Sequence, residues 1–393
     1  MKTSASLFMA LAPLALIAVP AVAAVTATPS VDYLYSRYQE ADVKAGKTAS
    51  GGDEERYAID SHRFRINLPA TDHDSLGINL TYESMTGASP WYVLPDAQGK
   101  PVQVMSGASI REERVAVQGD WSHGLSRLST LKLSGGYSNE DDYRSLQAGL
   151  EAAWASASRM QTLTVGAGYS ADTVMPTDGG SAVYPTRIVE ADKNGVTAFA
   201  SLEQVLGPRT RLQLAVSGLW QDGFLSDPYK LAYVTTTTST LADSRPEQRK
   251  GGAVSLMLRH SLGQGFATQA DYRYYQDDWE IEAHSLTLGL LRSQGNWQWA
   301  ANARWYSQSQ AGFYAPFYAT ARADGLVSSD YRLSPFGALS LGLDVKRLIG
   351  PWTLGAGLAG YKASEDYALG KVEVANPGLV SWLNGHLRVS RSY

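Results

Sequence analysis

Apolar and polar residues alternate with a period of two along most of this 393-residue chain. Leu76, Ile78, Leu80 and Tyr82 share one side of an extended segment, with Gly77, Asn79, Thr81 and Glu83 on the other. Leu131, Leu133 and Tyr137 oppose Lys132, Ser134 and Gly136, and Leu163, Val165, Ala167 and Tyr169 oppose Thr162, Thr164, Gly166 and Ser170. Leu339, Leu341, Leu343 and Val345 likewise oppose Ser340, Gly342, Asp344 and Lys346. A helix would repeat its apolar residues three and four positions apart, so alternation over about ten residues predicts strands. Strands of a soluble sandwich are usually shorter, and their polar faces carry many charges. Here the polar face is rich in Gly, Ser and Thr, as a crowded barrel interior would be. The expected fold is all-β: a transmembrane antiparallel β-barrel. Trp121, Tyr137, Trp154, Trp220, Trp297, Trp352 and Trp382 fall at strand ends and are expected to form its interfacial girdles.

Link lengths give the strand count. Short links fall near 71–75, 123–127, 156–159, 207–210, 263–265, 292–296 and 349–351. Long ones fall near 41–55, 85–113, 138–143, 171–194, 222–250, 276–284, 307–330 and 362–376, of which 138–143 and 276–284 are only moderately long. Seven short and eight long links imply 16 strands, within about 14–18, with short periplasmic turns and long extracellular loops. In the last segment Leu383, Gly385, Leu387, Val389 and Tyr393 share a face, ending on an aromatic residue as barrels do when read by the outer-membrane assembly machinery. Arg391 interrupts that face, and its long stem can carry its charge to the lipid headgroups.

The first 23 residues read as an address. Lys2 precedes an apolar run from Leu7 to Val19, and Ala21-Val22-Ala23 closes it with a small-x-small cleavage pattern. Residues 1–23 are therefore expected to be a cleaved signal peptide and 24–393 the barrel. The run is too short for a spanning helix, which needs roughly 20 apolar residues. Zero cysteines exclude disulfides, thiolate metal sites and cysteine nucleophiles. A net charge of −4 lacks the basic excess of a nucleic-acid binder. The expected location is the bacterial outer membrane, with lipid and the assembly machinery as partners.

Assigning the polar faces to the lumen puts Arg63, Arg65, Arg114, Lys132, Arg211, Arg273, Arg304, Lys346 and Arg388 inside, together with Glu83, Asp120, Glu151, Glu203, Asp271 and Asp344. Such charges set ion preference when they line a pore, and hold the wall together when they pair across strands. Mixed pairing is the favoured reading, with Asp271 and Arg273 an obvious pair. Acidic loop clusters at Glu140-Asp141-Asp142, at Asp277-Asp278 with Glu280, Glu282 and His284, and at Glu365-Asp366 offer hard oxygen ligands to a divalent cation. None has the spacing of a known calcium loop, so solvated surface is the expectation, with no metal or cofactor assigned. Asp277, Asp278 and His284 also suggest a barrel protease, but no catalytic constellation accompanies them. The six histidines sit beside no serine motif and read as hydrogen-bonded lumen, turn or headgroup residues. Small residues flank Trp91–Asp96, a loop suited to folding inward as a constriction; phosphate binding is the weaker idea, because no helix start follows. Thr235–Thr240 and the aromatic Phe313–Tyr318 read as loop, the latter as a lid or carbohydrate-stacking surface.

Several blocks resemble the bacterial outer-membrane family catalogued as domain of unknown function 3570. They are Thr86-Gly87-Ala88-Ser89-Pro90, Met105-Ser106-Gly107-Ala108-Ser109, Ser226-Asp227-Pro228-Tyr229-Lys230 and Ser244-Arg245-Pro246-Glu247. The longest are Asp271–Trp279 and Arg304–Tyr314, where Arg304-Trp305-Tyr306 replaces the family's usual Arg-Tyr-Tyr. The resemblance implies an exported barrel with no established activity, often encoded beside extracytoplasmic redox and flavin-attachment genes. Two functions are therefore expected: first, a non-enzymatic pore or passive conduit for small solutes; second, a closed barrel scaffolding a redox or flavin-linked envelope complex.

Overall fold

The computed structural model describes residues 28–44, 46–49, 55–106 and 110–393. The expected leader lies outside them. The chain opens with β1 (Ser30–Glu40), β2 (Ala58–Pro69) and β3 (Asp74–Gly87), then a small hairpin of β4 (Pro90–Pro95) and β5 (Pro101–Met105). There follow β6 (Ile110–Ser126), β7 (Ser129–Asn139), β8 (Tyr143–Ala155), β9 (Gln161–Val174), β10 (Ala191–Gly207) and β11 (Thr210–Gly223). A second hairpin, β12 (Leu231–Val234) and β13 (Ser239–Ala242), precedes β14 (Gln248–Gly263), β15 (Phe266–Asp277) and β16 (Glu282–Gln294). The chain ends with β17 (Trp297–Gln308), β18 (Phe336–Ile349), β19 (Trp352–Ser364) and β20 (Ser381–Ser392).

Leaving out the two hairpins, the strands form one closed antiparallel barrel of sixteen among the described residues. Closure comes from β1 and β20, paired from Ser30 opposite Ser392 to Glu40 opposite Trp382. All seven short links are hairpin turns, as in Gly350-Pro351, where Gly350 takes φ +57° without the penalty a Cβ would bring. The two moderately long links prove shorter, 140–142 and 278–281, although they belong to the long-loop rim.

Because directly opposed residues share a face, the register sorts outside from inside. Phe64, Leu80, Val117, Tyr137 and Leu146 form one continuous row around the wall. These side chains are 43–61% exposed, which water would penalise and lipid would not. Trp154, Trp220, Trp297, Trp299 and Trp352 are exposed with them. Outward arginines at the short-turn rim lie over aromatic rings: Arg347 over Trp297 at 5.0 Å, and Arg391 over Trp352 at 5.2 Å and Tyr393 at 4.5 Å. Trp382 departs from the girdle expectation. It is out of phase with Leu383 and Leu387, so it turns inward and stacks on Tyr361 at 5.2 Å.

Buried apolar residues gather at the long-loop end. Leu225, Trp279, Ile281, Phe313, Tyr314 and Leu333 form one cluster, and Tyr57, Met85 and Tyr229 another. Ala232, Val234, Tyr318 and Val327 form a third. The core of this barrel is a cap made by its loops.

Candidate functional site: a charged lumen beneath a loop cap

Strand register puts the fifteen charged residues read by alternation as lumen-lining on the sheet face opposite the exposed apolar row. Arg65 reaches Asp120 at 3.2 Å, Arg114 reaches Glu83 at 2.7 Å, and Arg211 reaches Glu203 at 3.6 Å. Asp344 meets His386 at 3.1 Å, and Arg388 pairs with Asp32, a lumen residue that strand phase alone would have found opposite Val31 and Tyr33. Two of these pairs span a strand. Gly77 lies between Arg65 and Asp120, and Gly357 between Asp344 and His386. A Cβ on Gly77 would stand 2.6 Å from Asp120 Oδ1 and 2.8 Å from an Arg65 nitrogen, so glycine makes room for the pair.

Pairing is incomplete, and one expected pair does not form. Asp271 accepts from Gln269 Nε2 at 2.6 Å, while Arg273 stands two residues further along the strand, opposite Ser255 and Ser285. Lys132 faces Glu151 in register, without an ion pair within 4.0 Å. Arg63, Arg273, Arg304 and Lys346 also make no ion pair within that distance among the described residues; Arg304 lies 5.5 Å from the Tyr306 ring. Arg259, missed by the alternation argument, joins this group and donates to Gln269 Oε1 at 2.7 Å. The missed Lys193 and Asp172 pair at 3.6 Å nearer the cap.

The inner arginines differ in exposure between the two ends. Toward the short-turn end, the side chains of Arg65, Asp344, Arg388 and Arg211 are 35–58% exposed. At the loop end, those of Glu40, Arg56, Glu140 and Asp277 are 0–2% exposed. The acidic partners at the short-turn end, Asp120, Asp32 and Glu203, are only 11–16% exposed, so that end is partly filled as well.

Loops from distant parts of the ring fill the loop end. Lys230, in the β11–β14 connection, donates to the Pro90 carbonyl of the β3–β6 connection at 2.8 Å. Six strands, β6 to β11, separate those connections on the shorter side, so the contact crosses the mouth. In the same connection Arg245 donates to Asp330, between β17 and β18, at 2.9 Å, and Tyr229 donates to Asp142, between β7 and β8, at 2.8 Å. Arg56, between β1 and β2, lies 5.6 Å from the Tyr331 ring and donates to Glu40 at 2.6 Å. The Trp91–Asp96 segment forms β4 and part of its turn, and Tyr92 stacks on Tyr233 of β12 at 6.5 Å. At the centre three carboxylates (Asp227, Asp243, Asp330) meet three cations (Lys230, Arg245, Arg332), all buried or nearly so. Burial alone would raise Asp330, but Arg332, Lys230 and Arg245 outweigh it and hold its carboxyl well below the usual range. Lys230 is pushed down by burial, against Asp330 and Asp227. The network is internally neutral, as a buried charge cluster must be.

Residues 3–380 match a family described as a protein of unknown function, DUF3570. The chain belongs to the DUF3570 family. Comparison with curated proteins finds no match. Among solved structures, the barrel is similar to a bacterial polysaccharide outer membrane secretin, at 10% identity and TM-score 0.46 over 92% of this chain and 98% of that one. CdiB from Acinetobacter baumannii (9%, 0.48, 92% of this chain and 60% of that one) and the CymD monoaromatic hydrocarbon channel (10%, 0.42, 93% and 88%) are similar at the same distance. Likeness this remote carries nothing about activity.

Several described residues of the blocks that carry the DUF3570 resemblance lie in the cap. Asp227, Tyr229, Lys230 and Arg245 are among them, as are Asp277, Trp279, Phe313 and Tyr314. Two loop readings are overturned here. Phe313, Tyr314 and Tyr318 are buried cap core, because Trp279, Leu333 and Val327 cover them, so they present no stacking surface. Asp277 is not solvated: it accepts from Arg249 Nε at 2.8 Å, Tyr275 at 2.8 Å and the Trp279 and Ile281 amides at 3.0 Å each. Glu140 and Asp142 are buried too, whereas Asp141, Asp278 and Asp366 are exposed. The protease arrangement is not assembled. Asp277 points inward, and His284, in phase with the exposed Leu286, bonds Tyr272 on the outer face at 2.8 Å.

Proposed function

We propose that this DUF3570 chain is an outer-membrane conduit for small solutes, closed at its outer mouth by a loop cap and favouring anions in the lumen below. The apolar outer row supports a bilayer setting, where a closed barrel is the sheet architecture that leaves no backbone group unpaired. On this reading the barrel sits in the outer membrane with its short turns periplasmic and its long loops outside, the plan such barrels follow. The contact that carries the reading is Lys230 to Pro90 across the mouth, above a lumen whose arginines toward the turns are partly exposed. Among described inner-wall residues without an ion pair, six are basic (Arg63, Lys132, Arg259, Arg273, Arg304, Lys346) and three acidic (Glu112, Glu151, Asp271), and fixed lining charge sets ion preference.

Planar-bilayer recording tests this. The refolded mature chain should be largely silent, and a variant with residues 224–247 replaced by a short Gly-Ser turn should conduct steadily, its reversal potential in a salt gradient displaced toward anions. A folded, heat-modifiable deletion variant that passes no current would overturn the conduit. A closed mouth also suits the second reading, a scaffold for an envelope redox or flavin-linked complex, and that silent result would favour it.

A further inference from the structure

Three carboxylates outside the neutral network face one another. Glu112 lies at the loop end of β6, and Glu140 and Asp142 lie in the three-residue β7–β8 connection. The residues are 3%, 4% and 1% exposed, and one oxygen from each lies within 4.8 Å of the others. Both oxygens of Glu112, Oε2 of Glu140 and Oδ1 of Asp142 accept no hydrogen bond among the described residues. Among the described residues the cluster's ion pair is with Arg114, 3.4 Å from Glu140 and shared with Glu83 at 2.7 Å. Tyr229 donates to the other Asp142 oxygen at 2.8 Å, which turns Oδ1 toward the cluster. Buried acceptors left without donors are costly, and three like charges at this spacing compound the cost.

We infer that Glu112, Glu140 and Asp142 bind a hard divalent cation, Ca²⁺. An oxygen-only donor set with no His or Cys selects a hard ion. The 4.8 Å limit is about twice a calcium–oxygen distance of 2.3–2.6 Å, so one ion can reach all three ligands. Mg²⁺ suits the place less, because it demands octahedral order and retains several waters. The ion would tie β6 to the β7–β8 connection. Through the Asp142–Tyr229 bond it would also brace the β11–β14 connection, so calcium would latch the cap. The site depends on the cap's geometry and not on whether the barrel conducts.

The test uses the full mature chain refolded in detergent, free of lipopolysaccharide and dialysed against EDTA. Titration with Tb³⁺, excited through nearby tyrosines, should give one saturable luminescent site that Ca²⁺ displaces, and calorimetry with Ca²⁺ should give the same stoichiometry. Glu112→Gln and Asp142→Asn should each weaken binding about tenfold or more, since ligand charge sets affinity in such sites. Both variants should fold, and in EDTA both should melt higher than the parent because they relieve repulsion; Ca²⁺ should then raise the melting temperature of the parent alone. No saturable Tb³⁺ or Ca²⁺ binding at neutral pH would overturn the site and leave a proton-sharing carboxyl cluster. Equal binding by parent and both variants would overturn it as well.

Discussion

Removing the carboxylate of Asp330 should open the cap. Asp330 accepts from Arg245 at 2.9 Å and from Arg332 Nε at 2.9 Å, and its side chain is fully buried. In the parent, Asp227, Asp243 and Asp330 balance Lys230, Arg245 and Arg332; Asp330→Ala leaves one positive charge in surplus, enclosed and unpaired. Breaking a buried pair from one side costs about 3–5 kcal/mol. At about 1.36 kcal/mol per factor of ten, the closed-to-open ratio should fall by roughly two to nearly four powers of ten. The assay is open probability in planar bilayers, with proteinase K cleavage of the loops as a readout that needs no current. Heat-modifiable migration should be unchanged, since the barrel hydrogen bonds are untouched. Asp324→Ala, in the same connection but with an exposed Arg322 partner, should change neither readout. Adding Arg332→Ala to Asp330→Ala should recover much of the loss by restoring neutrality. If Asp330→Ala stays as silent and as protease-resistant as the parent, or if the double variant is as open as the sum of the singles, the electrostatic account of the cap is wrong.

Two further outcomes follow from particular residues. Gly77→Ala should fold but cost about 1–3 kcal/mol in denaturant titration, because its Cβ displaces the Arg65–Asp120 pair; in an Asp120→Ala background most of that cost should vanish, and persistence of the full cost would rule out the pair as its cause. In EDTA, loop cleavage should speed up as pH rises. Burial and Asp142 hold Glu140 up to about 8 against the pull of Arg114, with Glu83 also facing it and Glu112 and Asp141 close by, while an opened loop returns it to about 4.5. A carboxyl that keeps its proton better when closed favours closure fully below about 4.5, and that contribution is lost as pH climbs through about 8. Glu140→Gln should flatten the profile; cleavage that slows with rising pH would contradict the sign.

How much of this was legible depended on periodicity. Strands betray themselves because neighbouring side chains must face opposite ways, and Leu76–Glu83 or Leu339–Lys346 need no partner to be read. The same rule placed Arg65, Asp120 and Arg388 on the inner wall and counted the turns. It failed where a residue sits at the edge of its strand: Trp382 looked like girdle, yet its phase with Asn384 and His386 puts it inside. Pairing was beyond reach, because it depends on which neighbour is nearer; Asp271 found Gln269 on its own strand before any arginine. The cap was invisible for a deeper reason. Aperiodic segments such as Ser226–Lys230 and Phe313–Tyr318 are buried by contacts with other loops, and nothing local in Asp227 or Tyr314 encodes those partners. The available signal was composition: Asp-Pro-Tyr-Lys and Ser-Arg-Pro-Glu join fixed backbone to alternating charge, which suits an ordered network better than a solvated loop.

A cap held by buried ions differs in kind from one held by grease. An apolar plug gains stability in proportion to the area it hides, and nothing dissolved in water competes for it. Buried ion pairs gain little net free energy, because desolvation offsets attraction, yet they are strict about partner and geometry. On the conduit reading, a closure of this second kind can be well defined without being deep. It yields to whatever supplies a better counter-charge to Asp330, Arg332 or Lys230. The apolar clusters around Trp279 and Tyr318 then serve to keep water from the charges, which is what makes each pair worth breaking selectively. The lumen below, where Arg273, Arg304 and Lys346 have no ion-pair partner among the described residues, would draw an anion toward the inner face of that network. Opening from within by an anionic solute is therefore the direction this electrostatic layout favours, and opening by a neutral solute has no counterpart in it.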